Sequence, residues 1–223
     1  MTFTLLAADP EHGLLGVATA SKSLALGASV PAIDPTVGVV ASQAWTNRSL
    51  RHHILSEVRN GSSVEDAVAR LPEIDDEFAY RQVAAVDLHG SVAAYTGERT
   101  SPWTGHLFGR GHVALGNFLT GPDVLQSMSD EYDSSAVPPG ERSAPALWMA
   151  KRLIASLMAG EAAGGDARGR ESAAVMVAHV RDRWLSPPDL AVDFRVDHHD
   201  DPIPQLNMLV NRGIADRMPH ATR

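Results

Sequence analysis

Thr2-Phe3-Thr4-Leu5-Leu6-Ala7-Ala8 runs into the turn-dense Asp9-Pro10-Glu11-His12-Gly13 and re-emerges as the apolar Leu14-Leu15-Gly16-Val17-Ala18-Thr19-Ala20. Two β-tolerant apolar runs separated by proline, glycine and acidic residues read as a hairpin. Val37 to Ala44 follows as a third strand, apolar enough for both of its faces to be covered. The N-terminal sheet is therefore expected to be buried.

Outward from there, Ser62 and Glu65 are spaced as a capping box ahead of Val64, Ala67, Val68 and Leu71, predicting a short amphipathic helix. Strands are expected at Arg81–Asp87, Ser91–Thr96 and His112–Phe118. Pro122 and Asp123 open a helix in the manner of a first-turn proline. From Ser143, Leu147, Ala150, Ile154, Leu157 and Met158 recur at helical spacing, with Lys151, Arg152 and Ser156 on the other side, until Gly160 ends the segment. Strand-like runs at Ser172–Val180 and Leu190–Val196 precede a last helix from Asp201-Pro202 carrying Ile203, Leu206, Val210 and Ile214. Pro138-Pro139-Gly140 and Ser186-Pro187-Pro188 read as local loops. Strands, helices, strands, helices, strands and a helix are incompatible with regular β-α alternation and favour an α+β layered architecture. The 223 residues, with no long linker, are expected to form a single domain over 1–223.

With 27 acidic against 19 basic side chains and a net charge of −8, the chain lacks the positive footprint that phosphate binding needs. The absence of cysteine excludes disulfides, thiolate metal sites and a cysteine nucleophile. No basic stretch precedes the first apolar run, and none is long enough to span a bilayer. The expectation is a cytoplasmic protein with neither nucleic acid nor membrane as a partner.

Thr2 is the first candidate for chemistry. Removal of Met1 would leave a hydroxyl and a free α-amine on one residue, and an amine with a reference pKa of about 7.7–8 is substantially neutral at physiological pH. The plainer reading is a strand-forming threonine. Met1–Asp9, Gly16–Lys22, Ser42-Gln43-Ala44-Trp45-Thr46-Asn47, Gly116-Asn117, Gly164–Gly169 and Asp193–Pro202 together resemble the domain-of-unknown-function 1028 family, an uncharacterised bacterial family placed in the N-terminal-nucleophile (Ntn) hydrolase superfamily. The likeness spans nearly the whole chain. It implies a four-layer αββα sandwich, distantly proteasome-subunit-like, with two mainly antiparallel sheets covered by helices. In that superfamily the N-terminal side chain attacks an amide carbonyl, its own amine moves the proton, and backbone N–H groups stabilise the oxyanion. Thr2 matches the nucleophile position. Where proteasome-like sites use an aspartate on the second strand, this chain has Thr19 or Ser21.

Lys22 is the expected electrostatic tuner, since a cation near Thr2 favours the neutral amine and the alkoxide; the alternative is a solvated lysine at a strand end. Alternation allows either Lys22 or its neighbours Ser21 and Ser23 to face the site. Gln43, Trp45, Thr46 and Asn47 suit a pocket wall and an oxyanion region, or a strand end whose Trp packs and whose Asn caps. Asn117 offers an amide to a substrate carbonyl or to a turn. Asp166 and Arg168 are placed with the substrate region, in the glycine-rich loop Gly164 to Arg170, whose backbone amides suit an anion and whose Arg168 suits a substrate carboxylate. The alternative is a structural loop in which Asp166 merely pairs with Arg168 across a turn. His198-His199-Asp200-Asp201 is the most metal-like cluster, yet adjacent strand residues diverge, and neither a metal nor a cofactor is expected. The leading reading is an amide hydrolase acting on a small-molecule or peptide amide, with a homo-oligomer suggested by the resemblance. The alternatives are a catalytically inactive binding or assembly protein of the same fold and, third, a metal-dependent hydrolase at His198 and His199.

Overall fold

The computed structural model describes residues 2–135 and 144–217, with side chains through residue 213. The loop expected at Pro138-Pro139-Gly140, the helix start at Ser143, the side chain of Ile214 and Met1 lie outside the described residues. The described chain is mixed α+β, with two antiparallel sheets and five α-helices. The first sheet is ordered β10(Val192–Val196)-β9(Ser172–His179)-β2(Leu14–Ser21)-β1(Thr2–Asp9)-β8(His112–Asn117)-β7(Gly105–Gly109). The second is β3(Pro31–Asp34)-β4(Gly38–Ala44)-β5(Arg81–Asp87)-β6(Val92–Thr96). The helices are α1(Arg48–Arg59), α2(Val64–Ala69), α3(Asp123–Ser134), α4(Pro145–Ala162) and α5(Pro202–Arg217).

Side-chain alternation along β1 assigns its two faces. Phe3, Leu5 and Ala7 join an apolar cluster with Met128 of α3, Leu153 and Leu157 of α4 and Leu206 of α5. Leu6 and Ala8 point the other way, packing with Leu15, Val17 and Leu115 of their own sheet against Val39, Ala41, Ala84 and Val86 of the second. The far side of the second sheet is covered by Leu50 and Ile54 of α1 and Ala67 and Val68 of α2. The chain therefore stacks as helices, six strands, four strands and helices, each large apolar side chain removed from water contributing ~1.5–3 kcal/mol. Gly16 allows α4 to lie close over β2: a Cβ there would stand 2.7 Å from Leu153 Cδ1.

Several expectations are corrected. The sequence pattern does not announce α1, β3 or β7. α1 does carry an apolar stripe at helical spacing, Leu50, Ile54, Leu55 and Val58, but it is narrow and set among arginines, histidines and serines, whereas β7 is a half-exposed edge strand with little alternation to read. The cap of α2 is Ser63, whose hydroxyl accepts the Asp66 N–H, one residue beyond the expected Ser62. α4 continues through Gly160, which packs on Met128 where a Cβ would lie 2.6 Å from Cγ. On the same helix Met158 is exposed, whereas Ser156 is buried and donates to the Met128 carbonyl at 2.6 Å. No helix among the described residues is long and apolar enough to cross a membrane.

Candidate active site

The space between the sheets changes character along its length. On their inward faces the strands run from Leu6, Val17, Leu115, Ala41 and Ala84 into Thr4 and Thr2, Thr19 and Ser21, Asn117, Gln43, and Gln82. Strand register gathers these side chains at one end, with Thr2 opposite Asn117, Thr4 opposite Thr19 and Gln43 opposite Gln82. All of them are buried. Burying so many polar groups is tolerable only if they satisfy one another.

They do so in a connected network. Thr4 Oγ1 donates to Gln43 Oε1 at 2.7 Å and lies 2.7 Å from Thr19 Oγ1. Gln43 Nε2 donates to Gln82 Oε1 at 2.8 Å and to the Thr2 carbonyl at 3.3 Å. Asn117 Nδ2 donates to Gln82 Oε1 at 2.9 Å. Thr2 itself is 5% exposed, and its hydroxyl makes a long bond, 3.4 Å, to Ser21 Oγ, which also accepts the Ser23 N–H at 3.0 Å.

Lys22 takes a different direction from the one expected. With Ser21 turned inward, the period of two turns Lys22 outward, where Nζ lies 2.8 Å from Glu171 Oε2 and 3.0 Å from the Arg170 carbonyl. Lys22 and, after it, His198 hold the Glu171 carboxyl below its ordinary range by hydrogen bonding. The charge of Lys22 is balanced there, so a role tuning Thr2 is not supported.

The 43–47 segment divides likewise. Gln43 belongs to the network, whereas Trp45 is 60% exposed and stacks on Tyr80 at 4.8 Å. The Trp45 N–H is taken by the Tyr80 carbonyl at 3.3 Å, and its own carbonyl accepts Arg81 Nη1 at 2.7 Å. That N–H is thereby removed from the expected set of oxyanion donors. Thr46 is exposed. Asn47 is the N-cap of α1, accepting the Ser49 N–H at 3.1 Å and donating to Asp75 Oδ2 at 3.1 Å, so its amide is a structural tie. Asn47→Ala should cost about 1 kcal/mol of stability, read as a lower urea midpoint at unchanged slope.

Asp166 is also a tie. Its Oδ2 accepts the Lys22 N–H at 2.9 Å and its Oδ1 the Arg168 N–H at 2.8 Å. The glycine-rich loop it anchors bonds to the end of β2 through Glu171 N–H and the Ser21 carbonyl, and to the chain beyond β8 through Ala167 N–H and the Phe118 carbonyl. Because β1 lies between β2 and β8, the loop passes the start of β1, beside Thr2. Arg168 stands 5.2 Å over the Phe118 ring and pairs with Asp166 at 3.4 Å. Ala44 and Phe118, with φ of 65° and 56°, directly follow Gln43 and Asn117. Left-handed backbone at non-glycine residues is costly and gathers at functional sites.

A cavity of about 600 Å³ lined by Asp9, His12, Arg110, Tyr132 and Arg152 lies at the opposite end of β1. Its Asp9 is paired with His12 at 2.9 Å, and burial pushes the Tyr132 hydroxyl up to about 12, so the proton stays on. The Thr2 end is the better candidate on chemistry. At the histidine cluster, His198 Nδ1 meets Glu171 at 2.5 Å while Asp201 pairs with Arg170 at 2.5 Å. Among the described residues no three His, Asp or Glu side chains gather as a metal site.

Thr4 and Gln82 escaped the sequence reading as members of the site, and Thr19 entered it only through the resemblance, at the second-strand position. The available signal was a polar residue at the inward phase of an otherwise apolar alternating strand, as at Gln82 ahead of Ala84 and Val86.

A family model described as a family of unknown function, DUF1028, matches residues 2–206. Protein SPO2555 from Silicibacter pomeroyi, whose crystal structure is described under the same family model, is 35% identical with a TM-score of 0.82, the match covering 95% of this chain and 85% of that one. Anbu (ancestral beta-subunit) from Yersinia bercovieri aligns over 100% of both chains at 12% identity and a TM-score of 0.34, too low to carry an argument. No curated protein matches the chain. A match to nearly the full length, together with a relative sharing a third of its residues, makes this chain a member of the DUF1028 family.

Proposed function

We propose that the polar end of the inter-sheet layer is the active site of an N-terminal-nucleophile amidohydrolase acting on a small-molecule or peptide amide. The observation that carries this reading is the position of Thr2, whose loosely bonded hydroxyl begins a central strand beside an otherwise tightly bonded polar network. The helix-sheet-sheet-helix stacking supports reading the fold as an αββα sandwich of Ntn type. On this reading the chain works as one cytoplasmic domain without a cofactor, with homo-oligomer formation resting on the family resemblance alone.

Chemically, removal of Met1 frees the Thr2 amine. The amine takes the proton of Oγ1 as that oxygen bonds to the substrate carbonyl carbon, and it returns the proton to the departing amine as the C–N bond breaks. Water then hydrolyses the resulting ester, restoring the Thr2 hydroxyl. An amide suits this arrangement because its leaving group needs the proton that the base has just accepted.

Intact-mass measurement of the purified protein tests the first requirement. The expected mass is short by one methionine; uniform retention of Met1 would lock the Thr2 nitrogen in a peptide bond and end the mechanism. The burial of Thr2 favours a second reading, an inactive binding member of the fold, for which Met1 retention is the expected result.

A further inference from the structure

We infer that Gln82 is the positioning residue of the Thr2 site, orienting the Gln43 and Asn117 amides and, through Gln43, the Thr2 carbonyl. This rests on the reading of Thr2 given above. Gln82 is fully buried. Its Nε2 lies 2.8 Å from the Gly116 carbonyl, 2.9 Å from the Gly105 carbonyl and 3.0 Å from Thr96 Oγ1. Backbone carbonyls only accept, so the amide nitrogen must occupy that side and Oε1 must face Gln43 and Asn117. Both neighbouring amides are then compelled to present nitrogen to Gln82.

The consequences propagate. Gln43, with one N–H on Gln82, gives its other to the Thr2 carbonyl and turns Oε1 to accept from Thr4. Thr4 has no second proton, so the 2.7 Å contact takes the Thr19 proton, and the 3.4 Å approach of the Thr19 hydroxyl to the Phe3 carbonyl is the weaker share of it. Asn117, opposite Thr2, has its nitrogen committed to Gln82, and its Oδ1 has no partner among the described residues. Two carbonyls of the β7–β8 pair thus determine, through one side chain, the hydrogen-bond polarity around the proposed nucleophile. His106 joins from the outside, with Nδ1 2.9 Å from Thr96 Oγ1; Arg81 and Asp75 pair on the other face of β5.

The test compares Gln82→Glu and Gln82→Met with the wild type, following covalent labelling of Thr2 by a β-lactone between pH 5.5 and 8.5. In Gln82→Glu the ionised carboxylate sets an acceptor against the Gly105 and Gly116 carbonyls, whereas the protonated acid can donate to one of them. Misplacement of reacting groups costs about a hundredfold in rate, and that loss is expected for Gln82→Met at every pH. For Gln82→Glu the same loss is expected at pH 8.5, with recovery relative to wild type as pH falls, a profile that a purely structural defect would not produce. A labelled wild type with both variants within threefold of it at every pH overturns the positioning role and leaves Thr2 in place. An unlabelled wild type overturns the Thr2 reading and this inference with it. If neither variant folds, side-chain amide exchange in the wild type decides: Gln82 Nε2 protons protected as strongly as core backbone amides support the role, and free exchange overturns it.

Discussion

Thr2→Val is expected to abolish covalent labelling by an acylating amide or β-lactone probe, whereas Thr2→Ser should retain it. Valine keeps the branched shape of threonine at a strand start that is almost fully enclosed, so the fold and the pairing of Thr2 with Asn117 should survive while the attacking oxygen is lost. Removing the nucleophile of a comparable covalent catalyst lowers turnover by about 10⁶-fold, leaving only what binding and polarisation supply. A loss of at least about 10³-fold is therefore expected here. Wild-type labelling should also weaken as pH falls below about 8, because the α-amine acts as base only when neutral. Peptide mapping of the modified protein checks both points. Equal labelling of Thr2→Val and wild type would place the nucleophile elsewhere.

A second large effect is expected at Asp75, which no catalytic reading requires. Arg81 and Asp75 are both buried and joined by two hydrogen bonds, 2.9 Å and 3.2 Å, and Arg81 reaches on to the Trp45 carbonyl. Asp75→Asn leaves a buried guanidinium whose remaining carboxylate partner is the exposed Glu77. Breaking a buried pair from one side costs about 3–5 kcal/mol, and the Glu77 contact puts the expectation at about 3 kcal/mol. The hydrogen bond from Arg81, ahead of any other influence, holds the Asp75 carboxyl below the ordinary aspartate value of 3.8. A depressed carboxylate contributes stability that is fully present above its unfolded value and is lost as pH falls through the lower folded value. Wild-type stability should accordingly decline below about pH 5, and Asp75→Asn should flatten part of that acid slope. Urea titrations at pH 7 and pH 4 measure both quantities; a variant within about 0.5 kcal/mol of wild type at pH 7, the size of an ordinary surface change, would show the pair to be energetically idle.

Much of the strand framework was legible because its residues carry the period of two directly. The hairpin of Thr2 to Ala20 and the strand at Arg81–Asp87 form as their patterns predict. α1 was less legible because its charged and polar face dominates the composition. At the candidate site, Ser21 and Lys22 show where local pattern stops being informative. Alternation demanded that one of them face inward, but only the stacking of the β2 face that carries Leu15 and Val17 on the second sheet decided for Ser21 and turned Lys22 to Glu171. Asn47 and Asp166 had plausible binding roles in sequence and are instead structural ties.

The sequence alone thus determined the strand periodicity, the acidic and cysteine-free character of the chain, and Thr2 as a residue of interest. The tertiary structure decided which polar side chains meet. Thr2, Gln43, Gln82 and Asn117 lie on four strands of two sheets, and their association depends on register and sheet order. Those are set by the burial of apolar residues throughout the fold, and no local spacing encodes them.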